Sequence, residues 1–193
     1  WRWNLKCFNP SYKPRQWVDE VSELTKSIAF QLLREDAYDG NMTDPGWKIR
    51  NPGWNWGHSV SPAGAHIDGF NSLTGHWFPL GLVCFYYLSD TSKEGGATAV
   101  WKGSHSKVFK LFRDTPQTVL APKVKREDFA EIAETCELEL LDGKAGDMFL
   151  WSGLTLHAVT NSAGPESRIG LSQFLNLKSY PRSSSFDKKL WRR

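Results

Sequence analysis

A chain of 193 residues with 40% apolar and 23% charged side chains has the size and balance of one water-soluble globular domain. No apolar run approaches the roughly 18 residues of a membrane-spanning helix, and the opening Trp-Arg-Trp-Asn has no signal-peptide core and no initiator Met. No membrane span is therefore expected, and the chain reads as an excised or truncated piece. Of the formal charge of +3, residues 178–193 supply six bases against Asp187 alone, which leaves a nearly neutral body. That short basic end has neither aromatic interleaving nor a nucleic-acid motif, so it reads as solvated and no nucleic-acid partner is expected.

Pro14 suits the first turn of a helix, and Trp17, Val21, Leu24, Ile28 and Leu32 recur at spacings of four, three, four and four. One amphipathic helix ending near Asp36 is predicted. Residues 39–61 are crowded with Gly, Pro, Asn and Trp and read as loops and short extended pieces. The run LGLVCFYYL at 80–88 is short enough for a buried strand and ends in a Gly-Gly turn region. Further strands are expected at 97–101, 137–141, 148–151, 154–159 and 168–177, with turns at Asp142-Gly143 and Ala145-Gly146-Asp147. Between them a short helix over 126–135 carries Phe129, Ile132 and Ala133 on one side. The pattern predicts a mostly β fold, a sandwich or jelly roll, with an N-terminal amphipathic helix and one short inserted helix. No internal repeat interrupts it, so a single domain over 1–193 is expected, with its core at 64–177 and a basic tail at 178–193.

Cys7, Cys84 and Cys136 are odd in number and lack C-x-x-C spacing, which argues against a disulfide framework and a thiolate zinc site. A cytoplasmic or other reducing intracellular compartment is expected. His66-Ile67-Asp68 sets two metal-capable side chains at i and i+2, on one face if the segment is extended. Alone, the pair is weak. A third ligand has to come from His58, His76, His105 or His157. Of these, His157 lies in the strand-like LTLHAVTNS, eleven positions before Arg168, which shares a strand face with Gly170, Ser172 and Phe174. Two His and one carboxylate with open coordination positions suit iron(II) oxygen chemistry, and a guanidinium beyond them can grip a carboxylate in a two-pronged contact.

The order H-x-D at 66–68, then FYYLSDTSKEGGATAVWKGSH, then AGDMFLWSGLTLHAVTNSAGPESR resembles the phytanoyl-CoA dioxygenase-like family of iron(II) and 2-oxoglutarate oxygenases over roughly 64–176. The resemblance implies a double-stranded β-helix in which His66, Asp68 and His157 bind iron(II) and form the catalytic triad, while Arg168 binds 2-oxoglutarate. It implies oxidation of an unactivated C–H bond of a small organic substrate by O2, release of succinate and CO2, and ascorbate as a reductant. Lys102 stands where the family commonly has Pro before Gly-Ser-His, and Val159 replaces a short polar residue after the distal His. The presence of Asp68, where halogenating relatives have a small residue, disfavours chlorination. His105 is expected to close a turn.

Trp54, Trp56, His76, Trp77 and Tyr86 are candidates for a substrate cage, with core packing as the plainer alternative. Tyr86 and Tyr87 lie on opposite strand faces, so one at most points into a cavity. The near-neutral body and the aromatic excess lean toward an uncharged or partly apolar small molecule. Two other classes remain open at this point: a cupin-type metal enzyme without 2-oxoglutarate, and a Trp-rich β-sandwich that binds without catalysis. Nothing in the sequence fixes the oligomeric state.

Overall fold

In the computed structural model, which describes residues 2–4, 14–33, 38–43, 45–55, 60–71, 76–77, 80–115 and 124–177, helix α1 (Pro14–Leu32) forms where the sequence period requires it. Val21, Ile28, Ala29 and the following Leu33 are buried beneath it, each large aliphatic side chain contributing about 1.5–3 kcal/mol. The surface they cover is a six-stranded antiparallel sheet. Its strands, numbered in chain order, run β1 (Arg2–Asn4), β9 (Asp147–Ser152), β6 (Leu80–Tyr87), β11 (Arg168–Leu177) and β2 (Tyr38–Met42), with β3 (Gly46–Arg50) also paired to β11. A second antiparallel sheet is ordered β10 (His157–Val159), β7 (Thr98–Trp101) and β8 (Leu138–Leu141). A two-stranded ribbon joins β4 (Phe70–Asn71) to β5 (His76–Trp77).

From β6 onward the chain passes back and forth between the two larger sheets: β6 in the first, β7 and β8 in the second, β9 in the first, β10 in the second and β11 back in the first. This is the double-stranded β-helix expected from sequence, not the simple hairpin that the short loop between His157 and Arg168 would also allow. The register of β6 decides which side chains look where. Leu82, Cys84 and Tyr86 face α1, while Val83 and Phe85 face the space between the sheets. On β11, Ser172 lies opposite Phe85 and Phe174 opposite Val83, so the two strands present one continuous inner wall. On β3, Arg50 lies opposite Arg168 and Lys48 opposite Gly170, which brings two more cations to the same wall. Gly170 needs its missing side chain: a Cβ there would stand 2.7 Å from the Phe85 ring and 2.8 Å from the Tyr86 carbonyl oxygen.

Two expectations require correction. A single inserted helix was predicted, but two are present, α2 (Ser104–Asp114) and α3 (Arg126–Glu134). Gly103 takes a left-handed conformation (φ 74°) that starts α2, so the Gly-Ser-His turn runs directly into a helix and His105 lies in its first turn. Val108 is buried, and Phe109, Leu111 and Phe112 pack against the core at helical spacing. The strand expected over 154–159 begins only at His157, because Thr155 N–H closes a turn onto Ser152 O at 2.8 Å. Ser104 Oγ accepts the Leu156 N–H at 2.9 Å, tying the start of α2 to the segment that delivers His157. Among the described residues, no helix is long and apolar enough to cross a membrane.

Candidate metal centre and co-substrate pocket

The first and third members of the proposed triad are held by each other's backbone. His66 N–H donates to His157 O at 3.1 Å, and His157 N–H donates to His66 O at 3.0 Å, an isolated antiparallel bridge at the edge of the smaller sheet. Residues opposed in such a bridge project to the same side, and the ring centroids lie 4.5 Å apart. Ile67 points the other way into the core, and Asp68 returns to the histidine side. Gly69, with φ 75°, then turns the chain away.

The ligand atoms of His66, Asp68 and His157 all lie within 4.8 Å of one another. His66 Nδ1 is 3.1 Å from Gly64 O and His157 Nδ1 is 3.0 Å from Thr155 O. A carbonyl oxygen only accepts, so both Nδ1 atoms carry hydrogen and both Nε2 atoms are left to bind a metal. His157 Nε2 approaches Asp68 Oδ2 at 3.3 Å. Burial, reinforced by the neighbouring His157, holds His66 down to about 4. Burial also opposes charge on His157, but the Asp68 hydrogen bond and charge outweigh it and raise the imidazole. For Asp68, burial pushes up, and the hydrogen bond and charge of His157 win and lower it. Two imidazoles and a carboxylate converge here, with His66 Nε2 free and His157 Nε2 available once its proton toward Asp68 leaves, a set that fits a divalent iron site.

The triad opens on a cavity of about 800 Å³. Its opposite wall carries Arg168, whose side chain is almost fully buried. Arg168 spans the cavity from one sheet to the other, donating from Nη1 to Gly96 O at 2.8 Å and to Thr98 Oγ1 at 3.4 Å. Its guanidinium carbon sits 5.1 Å from the centre of the Phe85 ring, and burial pulls it down to about 10, still protonated at neutral pH. Arg168 Nε, Arg50 Nε, Trp151 Nε1 and Ser172 Oγ are buried with no hydrogen-bond partner, and all four residues line the cavity. A buried cation with an unmade hydrogen bond is costly in an empty site and well placed for a carboxylate.

The aromatic candidates fare less uniformly. Tyr86 is fully buried on the α1 side of β6, where its hydroxyl meets Thr25 and Gln173, so it does not line the cavity; strand parity alone could not say which of Tyr86 and Tyr87 faced inward. Trp54 lies under the Arg50 guanidinium, 4.2 Å from its ring centre, and stands behind the cavity wall. His76 and Trp77 pair with Asn71 and Phe70 through their backbones. Trp56 falls outside the described residues. Sequence reasoning passed over Lys48, Arg50 and Arg126, which line the cavity with Phe70, Phe129 and Trp151. Their only sequence signal is the alternation of Lys48 and Arg50, visible once β3 is paired with β11.

Residues 12–170 match the family model described as phytanoyl-CoA dioxygenase. The chain belongs to the phytanoyl-CoA dioxygenase family. Solved structures with the same fold include the non-heme alpha-ketoglutarate-dependent carbocyclase SnoK from nogalamycin biosynthesis, at 15% identity and a TM-score of 0.56, covering 84% of this chain and 57% of that one. AviO1 from Streptomyces viridochromogenes Tue57 is similar at 14% identity and a TM-score of 0.53, covering 93% of this family member and 75% of AviO1. EvdO2 from Micromonospora carbonacea var. aurantiaca, solved with 2-oxoglutarate, gives 14% and 0.52, covering 85% of this chain and 65% of its own. The chain thus spans little more than half the length of SnoK. Comparison with curated protein sequences gives no match.

Proposed function

We propose that this family member is an Fe(II)/2-oxoglutarate-dependent dioxygenase that oxidises an unactivated C–H bond of a small organic substrate, with release of succinate and CO2. The observation that carries the reading is one cavity with the His66, Asp68 and His157 triad on one side and the buried, incompletely bonded Arg168 on the other. His66, Asp68 and His157 would hold iron(II), and Arg168 would hold the far carboxylate of 2-oxoglutarate. With O2, the iron and co-substrate supply an oxidant strong enough to break a C–H bond. The protein's own contribution is geometric and electrostatic. Gly64 O and Thr155 O fix both imidazole tautomers, and Phe70, Phe129 and Trp151 wall the site against water. Arg168, fixed by Gly96 and Thr98, orients the co-substrate.

An enzyme using the triad without 2-oxoglutarate would have no use for a cation at Arg168. A non-catalytic sandwich would gain nothing from two fixed tautomers. We read residues 64–177 as the catalytic core of a single domain. The unpaired Cys84 and Cys136 suit a reducing compartment. The test is formation of succinate from 2-oxoglutarate by iron(II)-loaded protein in air, abolished by chelator and by Asp68→Ala. Full succinate formation by Asp68→Ala would contradict the triad assignment, and iron-dependent turnover without succinate would favour the cupin-type enzyme.

A further inference from the structure

The charge inside the cavity is one-sided. Among the described residues lining it, Lys48, Arg50, Arg126 and Arg168 are cations, and Asp68 is the sole carboxylate. None of the four cations forms an ion pair with a described residue. Loading the site as proposed above changes nothing in this balance, because iron(II) brings two positive charges and 2-oxoglutarate two negative ones. Among the described residues three positive charges would therefore remain on the cavity lining, Lys48 and Arg50 half-buried and Arg126 exposed to solvent.

The cations also divide by position. Arg50 is the cross-strand partner of Arg168 and stands at the co-substrate end. Lys48 lies two residues along the same wall, opposite Gly170, and Arg126 opens α3, which packs on the 62–64 turn just ahead of His66. Both line the same cavity as the triad, and neither is the cross-strand partner of Arg168. The two cations thus remain in the cavity that a substrate has to enter, with no part in holding the co-substrate. The geometry points to a primary substrate that carries an anionic group, a carboxylate or a phosphate, received by Lys48 and Arg126. Neutrality of the body as a whole hides this local excess, so the uncharged molecule suggested by composition is replaced by an acid with an apolar portion against Phe70 and Phe129.

This inference rests on the proposed function, and the experiment separates the two. Protein loaded with nickel(II), which does not turn over, and saturated with 2-oxoglutarate is titrated with benzoate, phenyl phosphate and neutral benzamide, following tryptophan fluorescence. One anion at least should bind about ten-fold or more tightly than benzamide, weaken with added salt, and lose about ten-fold in affinity in Lys48→Gln or Arg126→Gln, the loss typical of one charge-assisted contact. Preference for benzoate would assign a carboxylate, and preference for phenyl phosphate a phosphate. Equal binding of all three probes, or anion affinity unchanged in both variants, would overturn the inference while leaving the proposed function intact. Failure of 2-oxoglutarate itself to bind the metal-loaded protein would remove both.

Discussion

On the face of the six-stranded sheet covered by α1, polar side chains are buried in closed sets. Tyr86, Thr25 and Gln173 bond to one another, Thr25 Oγ1 also reaches Val21 O at 2.8 Å, and Gln173 Nε2 donates to Ser22 Oγ at 2.8 Å. On the opposite face of the same strands, Arg50, Trp151, Arg168 and Ser172 each keep a buried polar atom with no partner. The four unpaired atoms are themselves buried, although they border an open cavity. Ser162 Oγ and Asn176 Oδ1 are also buried without a partner away from the cavity, so the contrast is one between these two faces, and on the cavity face the open groups are those a ligand could complete. The contrast separates fold from function within β6 and β11, whose alternate residues serve one or the other.

Substitutions can break that contrast from either side. The largest effect is expected from His157→Ala, which removes a proposed ligand and the partner of Asp68: iron-dependent succinate formation should disappear while the far-UV circular dichroism spectrum is retained. Arg168→Ala should raise the 2-oxoglutarate concentration for half-saturation by about 10- to 100-fold, as expected for loss of hydrogen bonds to a charged group. It also breaks the bonds to Gly96 O and Thr98 Oγ1 but removes a buried cation with an open Nε, so its net cost in urea unfolding should be smaller than that of a helix-side substitution. Tyr86→Phe on the helix side should do the reverse, costing about 1–3 kcal/mol in urea with 2-oxoglutarate affinity unchanged. A shift in co-substrate affinity for this variant would mean that the two faces are not independent. Smallest of all, Ser172→Ala should leave stability within about 0.5 kcal/mol or raise it slightly, since it removes an unpaired hydroxyl.

The pH dependence of metal uptake follows from the same site. His66, held down to about 4, is already neutral near pH 7 and has no proton to lose. His157, raised by Asp68, is the imidazole that binds a proton in the metal-free protein. Metal binding should therefore release a proton from His157, and apparent affinity should fall as pH drops below its raised value, steepening toward pH 4 where His66 also protonates. In the folded metal-free protein His66 lies below its ordinary 6.5, so its contribution to stability is present above 6.5 and is lost as pH falls toward 4. Calorimetry of nickel(II) binding in buffers of different ionisation heat measures the released proton.

How much of this was legible in the sequence depends on the range of the signal. Helices α1 and α3, the strand at Leu80–Tyr87 and the strand from Arg168 rest on local periodicity and were readable directly. His66, Asp68 and His157 were singled out from an ordered motif, and the fold brings their ligand atoms within 4.8 Å of one another. Helix α2 was hidden because Gly103 and Ser104 read as turn formers before the apolar spacing of Val108, Leu111 and Phe112 is counted. Lys48 and Arg50 were hidden for a different reason. They sit in a stretch crowded with Gly, Pro and Trp, and only pairing across more than a hundred residues to Gly170 and Arg168 gives them an inward face. Arg126 opens α3 and reads locally as an ordinary exposed helix residue until α3 packs near the 62–64 turn.

The most direct test of the central claim is optical and needs no primary substrate. Iron(II) and 2-oxoglutarate are added to the purified protein without oxygen, and the visible spectrum is followed for the weak charge-transfer band of 2-oxoglutarate chelated to the metal. The account predicts the band in the native protein, its loss in His157→Ala, and its return in Arg168→Ala only at much higher 2-oxoglutarate. Absence of the band from folded native protein, or a band unaffected by His157→Ala, would contradict it.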